Sequence, residues 1–159
     1  MNIQTFLTIG SIVLLGILGV TLNKTISNAE QIKIYSESII TANSIAQSII
    51  NEIKQKKFDK NVEDEVNVNV ANLTPTSQFG APPNKPVSQY TGIEEYHNHR
   101  RTINTKRLGN FNIIVNISYV RDNDFTRTSI TQTRTKEILV KVTNKYLLDT
   151  LRLRLYKSF

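Results

Sequence analysis

The hydrophobic positions of this chain change their pattern soon after the N-terminus. Residues 3–22 carry no charged side chain and are mostly Ile, Leu, Val and Gly. An α-helix rises about 1.5 Å per residue, so this run predicts a helix of roughly 30 Å, which matches the hydrocarbon core of a bilayer. The large apolar residues of the run are Ile3, Phe6, Leu7, Ile9, Ile12, Val13, Leu14, Leu15, Ile17, Leu18, Val20 and Leu22.

From residue 32 onwards the apolar positions recur at spacings of three and four. This period places one apolar stripe along a helix face, which is typical of a helix that lies under a globular domain. Pro and Gly are absent between Val20 and Thr74, so we predict one helix from residue 3 to about residue 57. The predicted contact of helix and head comprises Ile32, Tyr35, Ile39, Ala42, Ala46, Ile49 and Ile53.

Alternation with a period of two takes over in the rest of the chain and indicates strands. The strands predicted in this way cover residues 66–70, 111–119, 138–142 and 151–155, and the Thr-rich stretch 126–133 fits a strand or an exposed ribbon. Short turns between them predict an antiparallel meander, whose apolar face the helix would cover. The stretch 73–109 contains all four Pro residues and is predicted to be a long loop.

These elements predict an α+β fold, in which a long N-terminal helix packs its amphipathic second half against a small antiparallel sheet. We divide the chain into an apolar transmembrane or filament-core helix at 1–24, its amphipathic continuation at 25–58, and a β head at 59–159. About 100 residues are enough for one small domain whose core the helix stripe completes.

Charge is distributed unevenly along the chain. Residues 24–96 carry seven Lys against nine acidic residues, whereas residues 97–159 carry thirteen Lys or Arg against four acidic residues. This asymmetry indicates an acidic partner, an acidic patch on a neighbouring copy, or a solvated basic surface. The candidate charge contacts between copies are Asp59, Glu63, Asp64, Glu65, Arg152 and Arg154.

Few residues point to chemistry. The chain has no Cys, which excludes disulfides and thiolate metal sites. His97 and His99 are weak candidates for metal ligands, because no third ligand is fixed; a polar loop is the favoured interpretation of this segment. The basic run 100–107, with Tyr90 and Tyr96, is a weak candidate for nucleic-acid binding. No catalytic triad, phosphate loop or paired-carboxylate cleft is present, so we expect neither an enzyme nor a cofactor.

The N-terminal run has three interpretations: a cleaved signal peptide, a permanent membrane anchor, or the core helix of an assembly. A signal peptide has a basic start and a small-residue cleavage site. No Lys or Arg precedes Lys24, and no such site stands out after the run. The pattern therefore favours a retained helix.

Taken in order, these elements resemble type IV pilin-like proteins, most closely the minor pilins and pseudopilins. Residues 42–53 and then 58–59 are similar to the run that precedes the head in this family: ANSIAQSIINEI and FD. The segment 94–97, EEYH, resembles the acidic-acidic-Tyr segment ahead of the first long strand. Residues 111–120 and 135–143 resemble the central hairpin of the family.

The chain departs from that family at its N-terminus. Thr5 stands where the family has Glu, and Leu22 stands where a helix-breaking Pro is common. If Met1 is the initiator, no leader precedes the helix; if it is the first mature residue, the leader lies before this numbering. These departures bear on N-terminal processing and on the registration of neighbouring subunits.

The resemblance implies a structural subunit of a pilus-like helical filament, assembled by bundling of the apolar helices. Its implied location is the inner membrane before assembly and the cell surface afterwards. Its implied partners are copies of itself and an assembly machinery of the type IV pilus or type II secretion type. The alternatives are a minor pseudopilin of a secretion apparatus and a membrane-anchored binding module, for example for DNA.

Overall fold

The computed structural model describes residues 2–62 and 68–159, and within them it has the predicted α+β fold. A long helix, α1, spans Ile3–Lys54 and precedes a five-stranded antiparallel sheet. The strands are β1 (Arg100–Thr105), β2 (Gly109–Arg121), β3 (Asp124–Ser129), β4 (Thr135–Thr143) and β5 (Leu151–Ser158). The chain divides into two compact units, Met1–Glu37 and Ser38–Phe159.

Helix α1 ends three residues before the predicted end because the following backbone pairs with a distant loop. The amide of Lys57 donates to the carbonyl of Thr91 at 3.0 Å, and the amide of Ile93 donates to the carbonyl of Lys57 at 3.1 Å. These bonds form a short parallel bridge between Lys57 and Gly92. A backbone group that serves this bridge is no longer available to continue the helix.

The second half of α1 supplies part of the head core. Ala42, Ala46 and Ile53 have no exposed surface, and Ile49 is also buried. Tyr35 and Ile39 are half-buried. Ile32 is 65 % exposed, and its predicted place in the helix–head contact stays a prediction. It belongs to the first unit, whose described residues are almost entirely helix.

The sheet is not the simple meander that the sequence predicts. Its order is β1-β2-β4-β5, and β3 also pairs with β2. Strand β1 pairs with the first half of β2, and β3 pairs with the last residues of β2. Both lie along the edge of β2 that is opposite β4. The long β2 therefore has room for two short neighbours on one edge, and the chain returns to its other edge as β4. The two segments that resemble a central hairpin do pair, but β3 lies between them in sequence.

The inner face of β2 and β4 forms the centre of the core. Phe111, Ile113, Val115 and Ile117 of β2 have at most 1 % exposure, and they lie beside the buried Ile138, Val140 and Val142 of β4. Strand β5 is the edge, so its inward Leu151, Leu153 and Leu155 remain half-buried while Arg152 and Arg154 face outward.

Two predicted elements differ from the structure where it describes them. The predicted loop 73–109 contains β1, which has no alternation of apolar residues to reveal it and exists because its backbone pairs with β2. The predicted strand 66–70 does not extend to its end, since Val70 begins a 3₁₀ helix, Val70–Asn72, capped by the Asn69 side chain. Residues 66 and 67 lie outside the described residues.

The stretch from residue 73 to 99 is built from three further 3₁₀ helices: Thr76–Gln78, Val87–Gln89 and Ile93–Tyr96. Its two ends are part of the core, because Leu73, Thr74 and Tyr90 are buried and all of Ile93–Tyr96 is buried, whereas residues 75–89 are exposed or half-buried.

Replacing Ile53 by Ala should destabilise the head, because it removes fully buried methyl and methylene groups from the helix–sheet contact. Such deletions cost about 2–5 kcal/mol of unfolding free energy. Urea denaturation of the full chain in detergent, followed by tyrosine fluorescence, measures this loss. Ile40→Ala is the matched control on the same helix, since Ile40 is exposed and its loss should cost less than about 0.5 kcal/mol. Equal losses would contradict the assigned packing.

Candidate assembly helix and buried ion cluster

The first twenty residues of α1 present an apolar surface around the whole helix. Their twelve large apolar side chains are all at least half exposed. The most apolar eighteen-residue window has a mean hydropathy of 2.2 and no buried residue, and by length and composition the helix can cross a membrane. Burying a large apolar side chain contributes roughly 1.5–3 kcal/mol, so covering twelve is worth on the order of 20 kcal/mol. This surface therefore favours an environment of lipid or other helices.

The polar groups of this segment are compatible with such an environment. The hydroxyls of Thr8, Ser11 and Thr21 each donate to the backbone carbonyl four residues earlier, at 2.8–2.9 Å. These three hydroxyls are therefore paired within the helix and are not costly in an apolar medium. Gly16 and Gly19 have no atom within 4 Å of the place where a Cβ would lie. Small residues of this kind allow another helix to approach closely.

The predicted charge contacts between copies are only partly available at the surface. Asp59 is fully buried, so its prediction as a surface contact is wrong. Arg152 and Arg154 are exposed on β5, and Arg154 Nε lies 3.4 Å from a carboxylate oxygen of Glu137 within the same chain. Glu63, Asp64 and Glu65 lie outside the described residues.

Asp59 is buried because it belongs to an ion cluster around Lys136, and both side chains have zero exposure. Lys136 Nζ donates to Asp59 Oδ2 at 2.7 Å, to the Phe58 carbonyl at 2.8 Å and to Glu94 Oε2 at 3.2 Å. Thr74 donates to Asp59 through both its amide, at 3.0 Å, and its hydroxyl, at 2.7 Å. The cluster joins the segment after α1, the loop before β1, and strand β4.

Aromatic rings enclose the cluster. Lys136 Nζ lies 4.5 Å from the ring centre of Phe58, 5.1 Å from that of Tyr119 and 5.4 Å from that of Phe79. Ring faces attract a cation and exclude water, which strengthens the electrostatic interactions inside. The Tyr119 hydroxyl donates to the Thr74 carbonyl at 2.8 Å, so the polar end of this ring is also satisfied.

The two carboxyl groups of the cluster differ in protonation. Burial alone would raise the pKa of Asp59, but the hydrogen bond and charge of Lys136, with the bonds from Thr74 and Asn61, hold it below its usual value. For Glu94 burial dominates: it raises the pKa, Lys136 offsets this only partly, and the Asp59 charge raises it further. Asp59 is therefore the stronger acid, and Glu94 the group that holds a proton more readily.

Gly92 makes room for Glu94. A side-chain carbon at this position would overlap the Glu94 carboxylate and the backbone nitrogen of Lys60. That nitrogen donates to Glu94 Oε1 at 2.8 Å, so the close approach of the loop to the segment after α1 orients the carboxylate. Neither this contact nor the cluster was predicted. The sequence contains one indication of the cluster: Lys136 falls on the same side of the alternating strand β4 as the buried Ile138 and Val140.

The second acid of the loop is also an internal partner. Glu95 is buried, and its carboxylate pairs with Lys85 and accepts the amide of Thr91 at 2.6 Å. Burial would raise the pKa of Glu95, but Lys85 and the amides of Thr91 and Gly92 lower it. Both loop acids are therefore occupied within the chain and are not available to another copy.

His97 and His99 have separate surroundings. His97 Nδ1 lies 2.7 Å from the carbonyl oxygen of Ile117. The ring of His99 lies 6.0 Å from those of Tyr90 and Tyr96, and burial lowers the pKa of His99. Within the described ranges, no group of three His, Cys, Asp or Glu side chains is placed to hold a metal ion.

The aromatic residues of the candidate nucleic-acid site are not available at the surface. Tyr90 and Tyr96 are buried, and the Tyr96 hydroxyl donates to Glu52 at 2.9 Å, so these rings cannot stack on bases. Arg100 and Arg101 are exposed at the start of β1, and Arg101 lies 3.6 Å from the Glu52 carboxylate.

Lys136→Met should destabilise the head strongly, because it leaves two carboxyl groups buried without their cation. Removing one partner of a buried ion pair costs about 3–5 kcal/mol. Urea denaturation of the full chain in detergent measures the loss. Lys141→Met is the matched control, since Lys141 lies on the outward face of the same strand and should change the unfolding free energy by less than about 0.5 kcal/mol. A Lys136 variant as stable as this control would disprove a structural role for the buried charge.

Comparison of the chain with protein-family models, with curated proteins and with solved structures found no match. The function is therefore inferred from two features described above. One is the exposed apolar surface of α1, and the other is the internally satisfied head that follows it.

Proposed function

We propose that this chain is a structural subunit of a helical surface filament, in which the apolar segments of α1 from many copies form the core. The observation that carries this proposal is the exposure of twelve large apolar side chains around the whole helix. A single contact with one partner would cover only one face. A membrane, or a bundle in which each helix is surrounded by others, covers all of them.

The continuity of α1 supports the same proposal. One uninterrupted α-helix runs from the apolar segment into the residues that complete the head core. The back-bonded hydroxyls and the open positions at Gly16 and Gly19 suit close contact between helices.

The same exposed helix could also serve as a membrane anchor. By length and composition it can cross a membrane whether the chain is a filament subunit or an anchored module. In a filament the helices of different copies touch, whereas in an anchored module or a minor, capping subunit most of them face lipid. Contact between helices of different copies is therefore the property that separates these functions.

A cysteine placed at Leu15 should cross-link between copies in assembled material. The chain has no native Cys, so the added thiol is unique, and Leu15 is largely exposed in the apolar segment. We expect a short bismaleimide to give covalent dimers in the sheared surface fraction of expressing cells, detected by denaturing electrophoresis.

Thr128→Cys is the matched control, because Thr128 is exposed on β3 in the head and outside the proposed core. It should give clearly fewer dimers in the same fraction. Monomeric Leu15→Cys protein, found only in membranes, would contradict the filament and favour the anchored module.

Contact between heads is the second part of the proposal. The exposed Arg152 and Arg154 of β5 would meet the acidic connector 63–65 of a neighbouring copy. Reversing both to Glu should reduce the yield of sheared filaments several-fold, because like charges would then face each other. Arg100→Glu, at the far edge of the sheet, is the control and should leave the yield unchanged. Unchanged yield in the double variant would exclude this contact.

A further inference from the structure

The Lys136 cluster contains the groups needed for a condensation reaction. We propose that Lys136 and Asp59 join through an intramolecular isopeptide bond, an amide between Nζ and Cγ, with Glu94 as the group that transfers the proton. This bond would link the segment after α1 covalently to β4. The inference concerns the head alone and does not depend on the proposed filament.

The reacting groups are already in contact. Lys136 Nζ lies 2.7 Å from Asp59 Oδ2, and the carbon that it would attack, Cγ, is one bond further on. Nitrogen and carbon are therefore close to the roughly 3–3.5 Å separation from which oriented groups react. Asp59 Oδ1 accepts the Thr74 hydroxyl at 2.7 Å and the Asn61 amide at 3.0 Å. Donors fixed in this way stabilise the negative charge that an attacked carboxyl group develops.

The surroundings exclude water from the reacting groups. Lys136, Asp59 and Glu94 have no exposed surface, and three aromatic rings surround the amine. The reaction requires one proton to move from the ammonium group to Asp59 Oδ2 along the 2.7 Å hydrogen bond between them, and burial lowers the cost of this charge-neutralising transfer. This transfer leaves a free amine, which is a nucleophile, beside a neutral carboxylic acid.

Each atom in the proposed step is accounted for. The lone pair of Lys136 Nζ attacks Asp59 Cγ, and the N–Cγ bond forms while Oδ1 takes the negative charge. Glu94, 3.2 Å from Nζ, accepts a proton from the nitrogen and delivers one to the departing Oδ2. The Cγ–Oδ2 bond breaks, and one water molecule leaves. No oxidant, reductant or further reactant is needed.

A second Lys–carboxylate pair in the head lacks these features and serves as an internal comparison. Lys85 contacts Glu95, but a quarter of the Lys85 side chain is exposed. Water can therefore reach this amine, whereas the Lys136 side chain has no exposed surface. We expect no amide between these two residues.

Peptide mass spectrometry of the full chain tests the proposal. After solubilisation, denaturation and trypsin digestion, peptide 58–60 should be joined to peptide 135–141, with no cleavage after Lys136. The mass of the joined species should equal the sum of the two peptides minus one water. This readout does not depend on how the N-terminus is processed. Recovery of the two segments as separate, unmodified peptides from folded protein would overturn the proposal.

Two variants separate the chemistry from the ion pair. Glu94→Gln keeps the size of the side chain but removes its ability to accept the proton, so we expect at least a ten-fold loss of the joined species. Lys85→Met removes the lysine of the second Lys–carboxylate pair and should leave the amount of joined species at the level of the unmodified chain. An undiminished joined species in Glu94→Gln would overturn the role of Glu94, and its loss in Lys85→Met would overturn the assignment to a local reaction.

Discussion

The ammonium group of Lys136 has no exposed surface, and the head is arranged around the groups that compensate its charge. The segment after α1 provides Asp59 and the Phe58 carbonyl, and the loop before β1 provides Glu94. Burying a charge is costly unless it is paired and hydrogen-bonded. This requirement fixes where three segments that are distant in sequence must meet. It also explains how a loop without long regular elements becomes part of the core.

A second constraint acts on the other end of the chain. In the apolar segment of α1, three hydroxyls bond to the helix backbone and the large side chains are exposed in every direction. Those hydroxyls need nothing from a partner, whereas the apolar surface needs to be covered. The N-terminal segment of the helix thus leaves its apolar side chains uncovered, whereas the C-terminal segment buries its apolar side chains in the head core. We infer assembly from this difference.

Periodicity predicted the parts of the fold in which one face is buried. The long helix, β2, β4 and β5 follow from it, because their buried residues repeat with the period of the element. Strand β1 has no such repeat, since it is an edge strand held by its backbone. The order of the strands was also missed, because nothing in the residues of β3 indicates that it shares an edge of β2 with β1.

The ion cluster could not be read as a unit from the sequence. Its side chains are 35 to 77 positions apart, and each belongs to a residue type that is normally exposed. Asp59 was expected at the surface for this reason. Only the alternation in β4 placed Lys136 on the inner face of the sheet, and the position of one residue does not identify its partners.

The most direct test of the filament is electron microscopy of surface material sheared from cells that express this chain, with the subunit identified by mass spectrometry. We expect fibres made mainly of this chain, with the apolar helices of neighbouring copies in contact at the core. Absence of fibres, with the chain remaining as a monomer in the membrane fraction, would contradict a filament subunit and leave α1 as an anchor.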